Sequence, residues 1–148
     1  MKSDLKALIF DLDGTLADTI PTIAEAVNMT LSRMGYPSRT EDEVRSFIGR
    51  GPKHLITKSL GVDAQSSNDE LITQALKLYD EMYAETYMHT DKLYDGIYDA
   101  LVELSKKYKI AVLSNKPWRR MWIRTSSVCS GAFTVRTSTA TLNIPARA

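Results

Sequence analysis

Apolar positions recur along this chain with two different spacings, and the change from one to the other sorts it into strands and helices. Ala7 to Phe10 is a short apolar run closed by Asp11 and by Gly14-Thr15, the pattern of a buried strand ending in a loop. From Ile20 the period lengthens. Ile20, Ile23, Ala24, Val27, Leu31 and Met34 share one helical face, with Asp18-Thr19 before Ile20-Pro21 as the start and Gly35 as the stop. Thr40-Glu41-Asp42-Glu43 is a capping box and predicts a short helix over 41–47. A turn, Ile48-Gly49-Arg50-Gly51-Pro52, leads into a helix through Leu55 and Ile56 to Leu60, stopped by Gly61.

A second capping box, Ser67-Asn68-Asp69-Glu70, opens the longest predicted helix, 69–89. Leu71, Ala75, Leu78, Met82 and Tyr83 form its buried stripe with Tyr79 and Tyr87 at the flanks, a pattern of core packing rather than of a cofactor site. Leu93-Tyr94-Asp95-Gly96 turns into a helix over 97–107, apolar at Ile97, Leu101 and Leu104, and Lys109 to Leu113 is a second strand closed by Ser114-Asn115-Lys116-Pro117. A strand, a helix-bearing crossover and another strand make a right-handed parallel pair. Both polar loops then emerge at one carboxyl edge, where open α/β sheets bind ligands.

Composition adds a division at Pro117. Residues 1–117 hold all 18 acidic residues and 14 of the 19 lysines and arginines, a net −4, whereas 118–148 hold five arginines and no acidic residue, a net +5. The whole chain, 148 residues at +1 and 43% hydrophobic, can bury a domain core and points to neither nucleic acid nor membrane as partner. The tail's arginines are scattered rather than clustered, unlike a nucleic-acid arm. A membrane span needs about 18 consecutive apolar residues, and no stretch comes close. The amino-terminal residues carry no signal-peptide hydrophobic region, and one cysteine, Cys129, cannot form an internal disulfide, so a cytoplasmic protein is expected.

The chemistry-bearing stretch is Asp11-Leu12-Asp13-Gly14-Thr15. Alternate residues of an extended segment point the same way, so the two carboxylates can converge at the strand's end. Like charges that close repel unless a divalent cation or a shared proton neutralises them. The bland alternative is an ordinary Asp-Gly turn. Arg50, between two glycines, is either a solvated surface cation or a guanidinium brought near an anionic substrate.

Asp11-Leu12-Asp13-Gly14-Thr15-Leu16 after an apolar strand resembles the first motif of the haloacid dehalogenase-like phosphatases, and Ser114-Asn115 after the second strand resembles their second motif. The Ile48-Gly49-Arg50-Gly51 turn before a Leu-Ile helix is similar to the cap of phosphoglycolate phosphatase-like members. The resemblance implies an α/β fold: an incomplete Rossmann-like parallel-sheet core, 1–17 and 90–117, with an inserted helical cap, 18–89, and an atypical basic tail, 118–148. Asp11 is then the nucleophile that forms an aspartyl-phosphate, Asp13 the general acid and base, and Mg²⁺ the cofactor, held by Asp11 and the carbonyl of Asp13. Gly14, Thr15, Arg50, Ser114 and Asn115 bind the phosphorylated substrate, a small metabolite. The cap is a lid with hinges near Asp18 and near Met88 to Lys92.

Members of that family continue with a lysine and one or two aspartates that complete the site, and 118–148 contain neither residue type. The expectation is a truncated or out-of-frame carboxyl terminus, impaired activity and an apolar edge on the first strand. The tail's Gly131 to Thr137 is β-branched enough for one more strand. A phosphosugar mutase of the same superfamily and a non-catalytic product remain alternative readings.

Overall fold

The computed structural model describes residues 5–62, 69–90, 92–116, 133–137 and 141–144, of which 87–90, 133–137 and 141–144 are described by their backbone alone. The chain divides into two compact units, Met1–Asp18 with Lys92–Ala148, and Thr19–Asp91.

The first unit is built on a four-stranded sheet. β1 (Ala7–Phe10) pairs in parallel with β4 (Lys109–Ser114), in register Phe10 to Val112, after the two short strands and five helices that lie between them in sequence. β5 (Phe133–Thr137) pairs in parallel with β4, and β6 (Thr141–Ile144) returns antiparallel to β5, so the order is β1-β4-β5-β6. The expected extra strand is therefore present and the sheet has four strands, not two; β6 was not foreseen. A separate ribbon, β2 (Ala17–Asp18) against β3 (Lys92–Leu93), pairs Asp18 with Lys92 and so ties together the two points where the chain leaves and re-enters this unit. Tyr94 reinforces it, its amide donating to the Leu16 carbonyl at 3.1 Å and its hydroxyl to Asp18 Oδ1 at 3.4 Å. α5 (Ile97–Ser105) stops two residues short of the expected end, at Tyr108-side turns where Lys107 and Tyr108 amides close on the Leu104 carbonyl.

Strand alternation decides which side chains are covered. Leu12, Leu16, Ala17 and Val112 form the buried apolar cluster of the described residues here, with Phe10, Leu93, Ile97 and Leu101 packed against it. On the other face Ile9 is 68% and Leu113 51% exposed. β1 lies at the edge of the sheet, as expected for that strand.

The second unit is a helical cluster: α1 (Ile20–Arg33), α2 (Glu41–Phe47), α3 (Pro52–Leu60) and α4 (Asp69–Thr90). Thirteen buried side chains fill its interior, from Ile23, Val27 and Leu31 of α1 through Val44, Leu55 and Ile56 to Ala75, Tyr79, Met82 and Tyr83 of α4. The buried stripe of α4 is turned slightly from the expected one: Ile72 and Tyr79 are inside, whereas Leu71 and Leu78 are half-buried. Tyr79 and Tyr83 rings meet in a tilted pair, centroids 5.8 Å apart.

Polar bonds fix the connections. The Thr40 capping box forms in both directions, Glu43 N–H to Thr40 Oγ1 at 3.2 Å and Thr40 N–H to Glu43 Oε2 at 2.8 Å. Asn28 clamps the Arg39 backbone through both its amide atoms, and Arg39 Nε donates to the Ser59 carbonyl at 2.8 Å, which joins the α1–α2 loop to α3. The capping box expected at Ser67 has its first two residues outside the described set.

Candidate active site

Parallel pairing of β1 with β4 sets the two polar loops side by side, Asp11 to Asp13 following Phe10 and Ser114 to Lys116 ending β4. The first loop is wound tightly. The Leu12 carbonyl accepts amides from Thr15, Leu16 and Ala17, and Gly14 N–H donates to the Ala17 carbonyl at 2.9 Å. Gly14 takes φ 72°, a left-handed conformation that a side chain would strain. Leu12 and Leu16 point into the core at 2% and 3% exposure, and this anchoring leaves Asp11, Gly14 and Thr15 at the surface of the loop. Asp11 is exposed, with its Oδ1 accepting the Leu12 amide at 2.8 Å.

The second loop faces inward by continuing the strand. Ile110, Val112, Ser114 and Lys116 are all buried, so the alternation of β4 runs two residues past its last ladder partner. Ser114 Oγ accepts the Lys116 amide at 3.0 Å, which turns the chain at Asn115 and leaves Asn115 exposed. The Lys116 ammonium reaches Asp13 Oδ1 at 3.0 Å, with the two side chains only 7% and 13% exposed. A lysine buried to that degree is costly unless a counter-charge compensates it, and Asp13 is that counter-charge.

Asp11, Asp13, Gly14, Thr15, Ser114 and Asn115 are thus brought into one unit, on two adjacent loops. Arg50 belongs to the helical unit, exposed in the turn between Gly49 at φ 104° and Gly51 at φ 85°. Lys116 is the site residue that the sequence reading passed over. Its signal was the alternation itself, since Ile110, Val112 and Ser114 place residue 116 on the covered face.

The arrangement offers an exposed carboxylate beside a second carboxylate that is held by a cation, at the carboxyl edge of a parallel pair. A family model for haloacid dehalogenase-like hydrolases matches residues 8–138. The chain belongs to this family. The match runs past Pro117 and through β5, into the stretch that composition sets apart.

Among curated relatives, phosphoglycolate phosphatase of Vibrio parahaemolyticus is 33% identical over 120 residues, covering 78% of this chain and 53% of the relative. That of Vibrio vulnificus is 36% identical over 121 residues, with the same two shares. Among solved structures, a haloacid dehalogenase-like family hydrolase from Streptococcus pneumoniae superposes with a TM-score of 0.63 at 26% identity, over 84% of this chain and 52% of that one. The chain spans about half the length of the curated relatives it matches. Its fold is that of the haloacid dehalogenase-like α/β hydrolases, and among the described residues no helix is long and apolar enough to cross a membrane.

Proposed function

We propose that this chain carries the phosphoryl-transfer loops of a phosphomonoester hydrolase of the phosphoglycolate phosphatase type, acting on a small phosphorylated metabolite through an aspartyl-phosphate on Asp11. The observation that carries this reading is an exposed Asp11 and a half-buried Asp13 on the loop after β1, with Asp13 held by Lys116 from the loop after β4 that parallel pairing sets beside it. Asp11 is open to an incoming phosphate, and its oxygen attacks phosphorus as the bond to the leaving alkoxide breaks. Asp13, two residues on, in its protonated form donates the proton that the alkoxide takes up and is left as the carboxylate that Lys116 holds. It then removes a proton from the water that attacks phosphorus and releases Asp11. Ser114 Oγ already accepts the Lys116 amide, so its O–H serves as donor to a phosphoryl oxygen, with Asn115 beside it.

Mg²⁺ belongs to the same reading. Among the described residues no three His, Cys, Asp or Glu side chains gather into a metal cluster. The available donors are oxygens only, the Asp11 carboxylate and the Asp13 carbonyl, and this fits a cation that keeps several waters and shares substrate phosphate. A Mg²⁺ ion held by these two oxygens would supply the positive charge that lets the Asp11 carboxylate approach a phosphate. Arg50 is assigned to a second anionic group of the substrate, on the resemblance of its turn to the family's cap.

The test is hydrolysis of a generic phosphate ester in excess Mg²⁺ by this chain and by Asp11→Asn. The variant is expected to show no turnover, because an amide cannot form the acyl-phosphate. Hydrolysis that survives the substitution unchanged would rule the mechanism out.

A further inference from the structure

We propose that Lys116 is the positioning cation of this site, holding the Asp13 carboxylate in place for proton transfer and supplying positive charge where a phosphoryl group docks; the proton-transfer part rests on the function proposed above. Of the lysines among the described residues, Lys116 alone is buried. The tail from residue 118 onward contains no lysine. Its backbone is pinned by the bond from its amide to Ser114 Oγ, and its ammonium is 3.0 Å from Asp13 Oδ1. One residue therefore links both loops of the site.

The placement has two physical consequences. A long, flexible side chain loses rotamer freedom when ordered, and it stays ordered here because two fixed points, the Ser114 hydroxyl and the Asp13 carboxylate, hold its ends. The Asp13 carboxylate is held in turn, since its Oδ1 accepts from the ammonium at 3.0 Å. A neutral side chain at 116 releases Asp13 and removes the positive charge from between the loops.

The experiment compares two substrates. An aryl phosphate with a good leaving group needs little help from an acid, whereas an alkyl phosphate depends on it. Lys116→Gln is expected to lower turnover of the alkyl ester by about a hundredfold, and that of the aryl ester by far less. Lys116→Arg, which keeps the charge, is expected to recover part of the alkyl activity. Inorganic phosphate in the presence of Mg²⁺, titrated by calorimetry, is expected to bind about tenfold more weakly to Lys116→Gln.

Equal losses on the two esters, or none, overturn the positioning role. If the chain hydrolyses neither ester, phosphate binding decides: dependence on Lys116 supports the inference, and phosphate that does not bind, or binds equally to both proteins, overturns it. Where Lys116→Gln fails to fold, the double variant Asp13→Asn with Lys116→Met leaves no lone buried charge. Weaker phosphate binding in the double variant than in Asp13→Asn supports the inference, and equal binding overturns it. The parallel measurement on Asp11→Asn separates the two ideas. Turnover that persists there removes the aspartyl-phosphate reading, whereas a Lys116 variant indistinguishable from wild type removes only this one.

Discussion

The helical unit and the sheet unit reach stability by different routes. In residues 19–91 four consecutive helices enclose thirteen buried apolar side chains, including Val27, Val44, Ala75 and Met82 at 0% exposure. In the sheet unit, strands distant in sequence meet, and the described buried cluster is Leu12, Leu16, Ala17 and Val112, while Ile9 and Leu113 lie open to solvent. The difference follows from what each unit positions. The sheet places charged and polar loops at one edge and packs a buried lysine against a half-buried aspartate there, an ion pair whose desolvation offsets much of its attraction. The helical unit buries thirteen apolar side chains and holds its chemistry-bearing candidate, Arg50, at the surface.

The widest test of this contrast sets one interior side chain against one on the open face. Leu31→Ala, at a position 1% exposed, is expected to cost about 2–5 kcal/mol, because it removes transfer energy and leaves a cavity. Ile9→Thr on β1 is expected to stay within about 0.5 kcal/mol, since Ile9 is 68% exposed. Denaturant melts of both variants read the ratio. Comparable losses would mean that the open face is covered in solution and that the contrast between the units is false.

A smaller effect separates local capping from tertiary packing. Thr40→Ala deletes one half of a capping box that is complete in the structure, and should cost about 0.5–2 kcal/mol. Amide exchange should quicken in α2 first. If α1 and α4 open to the same extent at the same time, the helical unit is one cooperative block in which the cap has no local meaning. Gly61→Ala tests the other end of α3: Gly61 sits at φ 72°, and an added Cβ would come within 3.2 Å of the Arg39 guanidinium. The left-handed conformation costs a non-glycine residue about 1–2 kcal/mol, and an unchanged melt would show that the turn re-forms differently.

How much of this could be read beforehand depends on whether a feature repeats. The helices of residues 20–60 were legible from apolar spacing and from signals such as Thr40 and Gly61, and β1 and β4 from apolar runs that end in polar loops. The ribbon of β2 and β3 was not, because two-residue strands have no period to detect. β6 was missed as well: Thr141 to Ile144 is only four residues long and half polar. In α4 the stripe was placed beside the true one because Leu71, Ala75, Leu78 and Met82 satisfy helical spacing as well as Ile72, Ala75, Tyr79 and Met82 do. At the site, Asp11, Asp13, Ser114 and Asn115 were visible as motifs, whereas Lys116 was read as part of the polar loop Ser114 to Pro117 that closes the strand. Continuation of the strand's alternation determined its burial instead.

The smallest effect contrasts two glutamates, one in each unit. Hydrogen bonds from the Thr40 amide and then from the Thr40 hydroxyl, aided by Arg39, hold the Glu43 carboxyl below its ordinary value of 4.5. Glu103 of α5 is also held low, by the ammonium 2.6 Å away of Lys106, the exposed residue that follows the helix. Both shifts are downward, so each contribution to stability is present above the unfolded value and is lost as pH falls through the lower folded value. The partners differ. Glu43 bonds a fixed backbone amide, whose orphaned donor matters to the helix start, whereas Glu103 bonds a flexible surface lysine that water can replace. Acidification from pH 6 to pH 3 should therefore quicken amide exchange in the first turn of α2 after correction for intrinsic rates, and hardly change α5. In Glu43→Gln the pH dependence at α2 should disappear, and a loss of protection at α2 as steep as in the unsubstituted chain would place its origin elsewhere in the helical unit.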